Sequence, residues 1–222
     1  MWPKQKVKSL VSAETLQFLA DSVIYMHNLG FPQIEIKLAY GFDWTDISQG
    51  TLFMSELDKL KAFYLQHSEV NPCSFLNINV KEVLEPGTYI KKWCQAGERT
   101  ISYDMDGNRY PCRYFQDLRK SGKLSLEDIW MVDYGKIQYE LSGSCRTCLI
   151  RNLCRTCYAL NYDVNGSFGV KTHMSCRVTQ IMAYKTAQLI SERESKADDD
   201  TLRACQLIIE AFEKQGFQLR GI

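Results

Sequence analysis

The sequence predicts an α/β fold, with alternating helices and strands at its start, a cysteine-rich segment in its middle and helices at its end. Apolar residues recur at helical spacing over residues 12–29 and 54–66, and they alternate with polar residues over 33–39 and 75–80. This αβαβ order is typical of a parallel sheet or of a barrel.

Each element of this first run has its own signals. Ser12 is of a type that caps helix N-termini, and Gly30 is of the type that most readily ends a helix, so the first helix is expected between them. The strand over 33–39 follows directly. The second helix shows an apolar stripe from about Met54 to Gln66, and the second strand covers 75–80.

One face of each predicted strand is polar. The residues on these faces are Glu35 and Lys37 in the first strand and Asn77 and Asn79 in the second. A parallel sheet that is covered by helices on both sides has apolar residues on both faces of its strands. A barrel with a polar, ligand-holding lumen would explain the pattern, and so would an edge strand with one solvated face. Two strands do not decide between these interpretations.

The middle of the chain has shorter elements. The Asp106-Gly107 turn between two short alternating runs predicts a β-hairpin. A polar loop is expected over 119–124, and Ser125 is expected to cap a short helix through Trp130. Apolar stripes near the end of the chain predict two closing helices, over 178–189 and 202–212.

The composition excludes several classes of protein. Lys and Arg number 27 against 26 Asp and Glu, and the formal net charge is +1, so no global field attracts nucleic acid or an anionic membrane. No apolar run approaches the roughly 18 residues of a membrane span. The basic start, Met1 to Lys8, is not followed by the apolar core of a signal peptide. We therefore expect a cytoplasmic protein with neither nucleic acid nor membrane as a partner.

The nine cysteines of the chain indicate metal binding, because thiols in a reducing compartment do not persist as disulfides. Cys73 and Cys205 lie in apolar contexts, and we interpret them as small buried hydrophobic residues. The other seven form a spaced pattern, which reads Cys94-x12-Gly107-x4-Cys112, then Cys145-x2-Cys148-x5-Cys154-x2-Cys157, and finally Cys176.

Iron–sulfur clusters and zinc are the two candidate occupants of this pattern. Cysteines two residues apart place two thiolates on one tight turn, as both kinds of site require. Structural zinc sites usually separate their two cysteine pairs by a dozen or more residues, and the separation here is five. Seven ligands also exceed the four of one zinc ion. The spacing favours iron–sulfur clusters, and a non-enzymatic zinc-stabilised binding module is the alternative.

The run from Cys94 to Cys176 resembles the SPASM domain, a C-terminal extension of radical S-adenosylmethionine (radical SAM) enzymes that modify peptides and proteins. The pattern of that family is C-x9–15-G-x4-C, an intervening stretch, C-x2-C-x5-C-x3-C and a final cysteine. The chain matches this pattern with one residue fewer between Cys154 and Cys157.

The resemblance implies two auxiliary 4Fe-4S clusters as cofactors. The distal cluster would have a complete set of ligands, which are Cys145, Cys148, Cys154 and Cys176. The proximal cluster would have three, which are Cys94, Cys112 and Cys157. Its fourth position would be completed by an oxygen ligand such as Asp104 or Asp106, or left open to a substrate thiolate or another ligand.

The segment before the cysteines is similar to the C-terminal half of the partial TIM barrel that carries the radical chemistry in this family. The similar residues are Leu29-Gly30-Phe31 before a strand and Tyr40-Gly41-Phe42-Asp43-Trp44 after it. The resemblance implies three parts, namely a barrel remnant over 1–90, a SPASM-like iron–sulfur domain with a hairpin, loops and helices over 91–180, and C-terminal helices over 181–222. Candidate lumen residues, of the kind that face cofactor or substrate in the intact family, are Glu35, Lys37, Asn77 and Asn79.

Two departures from the family restrict the implied activity. The triplet C-x3-C-x2-C, which binds the catalytic cluster in this family, does not occur in the chain. S-adenosylmethionine is therefore expected only in the intact enzyme, and a missing N-terminal half, from the same gene or a split partner, is expected to supply it. The implied substrate is a peptide or protein. Sulfatase-maturing relatives typically have Tyr-Pro-Cys-Asp at the second motif cysteine, but here Arg113 follows Cys112, and a guanidinium cannot act as that base.

Overall fold

The computed structural model of the chain describes residues 5–39, 44, 46–85, 94–135, 137, 143–172, 176–193 and 197–215. The chain divides into two compact units. The first combines Met1–Glu85 with His173–Ile222, and the second is Pro86–Thr172. The C-terminal helices therefore group with the start of the chain, whereas the sequence led us to expect three consecutive parts.

The first unit begins with a strand that was not predicted. β1 (Lys6–Val11) pairs in parallel with β2 (Gln33–Leu38), and β2 confirms the strand expected over 33–39. On one face of this two-stranded sheet, Ile34 and Ile36 are buried in the core of the unit. The other face carries mainly polar side chains, so the alternation in the sequence corresponds to a sheet that is covered on one side.

α1 (Leu19–Asn28) connects the two strands. It ends before Gly30, whose φ of +89° confirms the expected helix end. It begins later than Ser12 because a 3-10 turn precedes it. Its first turn is held by the buried Glu56, which accepts a hydrogen bond from the backbone N–H of Ala20 (2.8 Å).

α2 (Ile47–Gln66) follows β2 and is longer than the helix expected over 54–66. Its start is set by Asp46, whose carboxylate accepts hydrogen bonds from the backbone N–H and the hydroxyl of Ser48 (both 2.7 Å). Asp46 lies one residue before the first helical residue and is therefore the N-cap of α2.

The prediction of a strand over 75–80 is wrong. The segment forms two 3-10 turns, at Ser74–Leu76 and Val80–Leu84. The Ser74 hydroxyl accepts a hydrogen bond from the backbone N–H of Ile36 (2.8 Å) and donates one to its carbonyl oxygen (3.1 Å). The Ser74 side chain thereby satisfies the backbone N–H and C=O of Ile36 at the edge of β2, where a neighbouring strand would otherwise pair.

The second unit contains the expected β-hairpin. β3 (Ser102–Tyr103) pairs antiparallel with β4 (Arg109–Tyr110), and Gly107 in the turn has a φ of +80°. The turn is organised by Asp104, whose carboxylate accepts hydrogen bonds from the backbone and side chain of Asn108 (2.8 and 2.9 Å) and from the Tyr110 hydroxyl (2.7 Å).

Short helices follow the hairpin, and they are α3 (Arg113–Lys120), α4 (Leu126–Met131), α5 (Gly143–Arg146) and α6 (Tyr158–Asn165). α3 was not predicted, and its last residues occupy the start of the loop expected over 119–124. A capping box between Ser125 and Asp128 confirms the expected start of α4. Phe115, Tyr134 and Tyr158 belong to the hydrophobic core of this unit.

Two long helices complete the first unit. α7 (Cys176–Glu192) and α8 (Asp199–Gln215) confirm the expected closing helices. α7 packs against both α2 and α8. The described residues form a mixed α/β fold with two small sheets and no closed barrel. Across the described ranges, no helix has both the length and the apolarity needed to cross a membrane.

Candidate metal centres

The three predicted proximal ligands interact electrostatically in the second unit. Burial raises the pKa of the Cys157 thiol, and the neighbouring Cys112 and Cys94 thiols raise that pKa further. Burial and the Cys94 thiol likewise raise the pKa of Cys112. Because such interactions act over short distances, the fold brings these three thiols to one region.

Two of these thiols lie at helix starts. Cys112 occupies the N-cap position of α3, and Cys157 occupies that of α6. Backbone N–H groups of Tyr114 and Phe115 lower the pKa of Cys112 against the effect of burial, and the N–H of Leu160 does the same for Cys157. A metal ligand must be a thiolate, so N–H groups at a helix start favour the form that binds metal.

Three of the predicted distal ligands lie on consecutive turns of the second unit. The backbone N–H of Cys148 donates to the carbonyl of Cys145 (3.4 Å), and that of Cys154 donates to the carbonyl of Arg151 (3.3 Å). Burial raises the pKa of Cys148, and the Cys154 and Cys145 thiols raise it further. These three sulfurs therefore form a second electrostatically coupled group.

A buried lysine contacts this second group. Lys171 is 7% exposed, and its ammonium donates a hydrogen bond to the Sγ of Cys154, which is 3% exposed. The same ammonium lowers the pKa of Cys148. A buried cation on a buried sulfur stabilises the thiolate over the thiol. Lys171 is one of several basic residues near the cysteines in the sequence, and nothing in its spacing distinguishes it.

The last predicted distal ligand lies in the other unit. Cys176 is the first residue of α7, and Gln180 donates a side-chain hydrogen bond to its sulfur (3.7 Å). Its assignment to the same cluster as Cys145, Cys148 and Cys154 stays a prediction from the family resemblance.

Among the described residues, no group of three His, Cys, Asp or Glu side chains is placed to hold a metal ion. In a cubane cluster each of the four cysteines binds a different iron, so its sulfurs lie farther apart than the ligands of one ion. Two coupled groups of cysteine sulfurs are a donor set that fits iron–sulfur clusters.

The predicted lumen residues do not share one surface of a strand pair. Glu35 lies on the open face of β2, within 3.8 Å of Lys6 and of Lys37, so these three form a small ion-pair group. Asn77 and Asn79 lie between 3-10 turns and not on a strand, which corrects their expected placement. Their role as cofactor-binding residues depends on the unobserved barrel and stays a prediction.

The two candidate oxygen ligands for the proximal group differ in availability. Asp104 is engaged within the hairpin, where hydrogen bonds, first that of the Asn108 side chain, lower its pKa to about 2. Its four contacts occupy both carboxylate oxygens, because Asp106 N and Asn108 N donate to Oδ1 while Asn108 Nδ2 and Tyr110 OH donate to Oδ2. The Asp106 side chain is exposed, and its carboxylate lies outside this hydrogen-bond network.

Asp104→Asn is expected to destabilise the chain at neutral pH and much less in acid. The folded-state pKa of about 2 lies below the unfolded value of about 3.9, so the stabilisation is complete above the unfolded pKa and is lost as pH falls toward 2. Urea unfolding of both proteins at pH 7 and pH 2.5 measures this, with Asp106→Asn as the control. A stability difference that does not change with pH would contradict the assigned role of Asp104.

The two remaining cysteines are buried, as expected. Cys73 and Cys205 are each 0% exposed, and burial raises the pKa of both thiols. Of the histidines, His27 bridges Tyr64 (2.9 Å) and the Phe31 carbonyl (3.1 Å), whereas His173 lies outside the described residues.

Comparison with known families does not assign the chain. No protein-family model matches it, and no curated protein is significantly similar to it.

Proposed function

We propose that the chain is an iron–sulfur protein whose seven patterned cysteines hold two auxiliary 4Fe-4S clusters. The observation that carries this proposal is the separation of six thiols of the second unit into two coupled groups, Cys94/Cys112/Cys157 and Cys145/Cys148/Cys154. The family pattern that the chain resembles divides the same residues in the same way. Cys176 is proposed as the fourth ligand of the second group on the family resemblance alone.

The surroundings of the thiols support this donor set. Burial raises the pKa of Cys112, Cys148 and Cys157 and so favours their protonated form, and a protonated thiol does not bind metal. The Lys171 ammonium opposes protonation in the second group, and the N-termini of α3 and α6 oppose it in the first. When bound, a cluster of this kind supplies one-electron transfer, with a potential set by nearby charge and hydrogen bonds to sulfur.

The wider activity that we propose is that of a radical SAM peptide or protein maturase. In this proposal the auxiliary clusters transfer electrons or bind the substrate, and the half that cleaves S-adenosylmethionine is supplied by the same gene or a split partner. β1 pairs with β2 and with no other strand in the described ranges, as expected if further strands of a barrel come from the missing half. Arg113 after Cys112 disfavours sulfatase maturation and leaves thioether or carbon–carbon crosslinking as candidate reactions.

Anaerobic reconstitution of the full chain with iron and sulfide tests the cluster proposal. We expect a brown protein that absorbs at about 400 nm and binds about eight irons per chain, because each cubane contributes four. A parallel reconstitution with zinc is the control. A colourless chain that excludes iron and binds zinc stoichiometrically would contradict the cluster proposal and favour the zinc-stabilised binding module.

A further inference from the structure

In the first unit, α2 and α7 pack together with their N-termini at the same end. Two ion pairs show this, Asp58 with Lys185 (2.6 Å) and Lys61 with Glu192 (2.6 Å). Nearer the helix starts, Gly50 of α2 lies beside the Arg177 side chain of α7. The residue numbers rise together along α2 and α7, so the helices are parallel. Each helix start carries roughly half a positive charge from its aligned peptide dipoles, and the two charges add at this end.

Arg177 is buried where these helix starts meet, and two of its nitrogens have no hydrogen-bond partner in the part of the chain that the structure describes. Arg177 is 8% exposed, and its Nε and Nη1 are fully buried and donate to no acceptor among the described residues. Burial lowers its pKa, although a guanidinium remains protonated in proteins. A buried guanidinium whose N–H groups lack acceptors is costly, and a folded chain rarely leaves such groups without a partner.

The surrounding residues leave room for this guanidinium. A Cβ at Gly50 would come within 2.7 Å of the Arg177 Cδ and would also overlap Nε, so the absence of a side chain at position 50 admits the arginine. Asp46 is the charged neighbour, and its carboxylate acts on Arg177 through its charge. The Oδ1 of that carboxylate caps α2 through Ser48, and neither of its oxygens hydrogen-bonds Nε or Nη1.

Two buried acceptors on the same helix turns also have no partner within the described ranges. They are the side-chain oxygens of Gln49, which precedes Gly50 in α2, and of Gln180, which is one turn beyond Arg177 in α7. The Gln180 amide nitrogen already donates to Cys176, so its oxygen is the free atom. A ligand that satisfies this region therefore needs both an anion and adjacent N–H donors.

We propose that Arg177, Gln49 and Gln180 form a binding site for a carboxylate whose α-carbon bears an N–H donor. The carboxylate would pair with the guanidinium at the convergent starts of α2 and α7, and its N–H would donate to a glutamine oxygen. A free α-amino acid and the C-terminal residue of a peptide both offer this chemistry. The site lies in the first unit and does not require that the cysteines bind clusters.

Titration calorimetry on the full chain tests this proposal with three probes. We expect N-acetyl-L-alanine, L-alanine or both to bind, because each has a carboxylate beside an N–H, and we expect L-alaninamide, which has no carboxylate, not to bind. Preference for N-acetyl-L-alanine assigns a peptide C-terminus, and preference for L-alanine assigns a free amino acid. Absence of binding by both carboxylates, or tighter binding of inorganic phosphate than of either, would overturn the proposal.

Arg177→Met is expected to weaken binding about tenfold or more, since it removes a charge-assisted pair. Without ligand it should also raise the melting temperature, because an unpaired buried charge is replaced by an apolar side chain. Lys185→Met is the matched control on the same helix. Lys185 is buried but paired with Asp58, so its loss should lower the melting temperature and leave binding unchanged.

Gly50→Ala provides a second variant that keeps every charge. Its methyl group would displace the Arg177 side chain, so binding should weaken while the helix itself tolerates alanine. Unchanged binding in both Arg177→Met and Gly50→Ala would exclude this site.

Discussion

Cys148→Ala is expected to remove about half of the iron of the reconstituted chain, and Cys112→Ala is expected to remove the other half. Cys148 belongs to the group that contains Cys145 and Cys154, whereas Cys112 belongs to the group of Cys94 and Cys157. Each 4Fe-4S cluster contributes four irons, so each single variant should retain about four and the double variant none. Iron and acid-labile sulfide analysis of anaerobically purified protein measures the difference.

Cys205→Ala is the matched control for these variants. Cys205 is fully buried in α8 of the first unit and is outside the spacing pattern, so its loss should leave the iron content unchanged. Loss of all iron in either Cys148→Ala or Cys112→Ala would contradict the assignment of the thiols to two separate clusters.

Lys171→Met is expected to make the distal cluster harder to reduce. The Lys171 ammonium contacts the Cys154 sulfur from a buried position, where little solvent screens its charge. Reduction adds a negative charge, which the ammonium stabilises. A tenfold change in a one-electron equilibrium corresponds to about 59 mV, and we expect a fall in midpoint potential of at least this order. Anaerobic redox titration followed by optical or EPR spectroscopy measures it.

The effect of Lys171→Met should be confined to one of two redox transitions. Lys185→Met is the control, because it removes a lysine of similar burial that pairs with a carboxylate and not with a thiolate. Two unshifted transitions in Lys171→Met, or equal shifts in both variants, would show that the lysine does not act on a cluster.

The sequence predicted those elements in which the period of the apolar side chains matches the pattern of buried residues. β2 was predicted because Ile34 and Ile36 alternate with polar residues and are the buried residues of that strand. β1 was missed because its lysines, Lys6 and Lys8, were interpreted as a basic start, although they mark one face of a strand. Alternation in 75–80 was misleading, since the Ser74 hydroxyl satisfies Ile36 where a strand would pair.

The candidate sites were predictable to different degrees. The cysteine pattern is readable in the sequence, and its resemblance to a family pattern separated the thiols into the groups that the second unit brings together. Lys171 and Arg177 were not predicted as site residues, because their roles depend on burial and on neighbours distant in sequence. No local sequence pattern shows either property. The polar residues Asn77 and Asn79 were assigned to a strand face, and that assignment failed with the strand.

Native mass spectrometry of the anaerobically reconstituted chain is the most direct test of the central claim. It resolves the metal and sulfide bound to each molecule and does not average over a partly loaded sample. The iron–sulfur assignment predicts a fully loaded species with two increments of about four irons and four sulfides each. A fully loaded species that contains zinc, or whose iron is bound without sulfide, would contradict it.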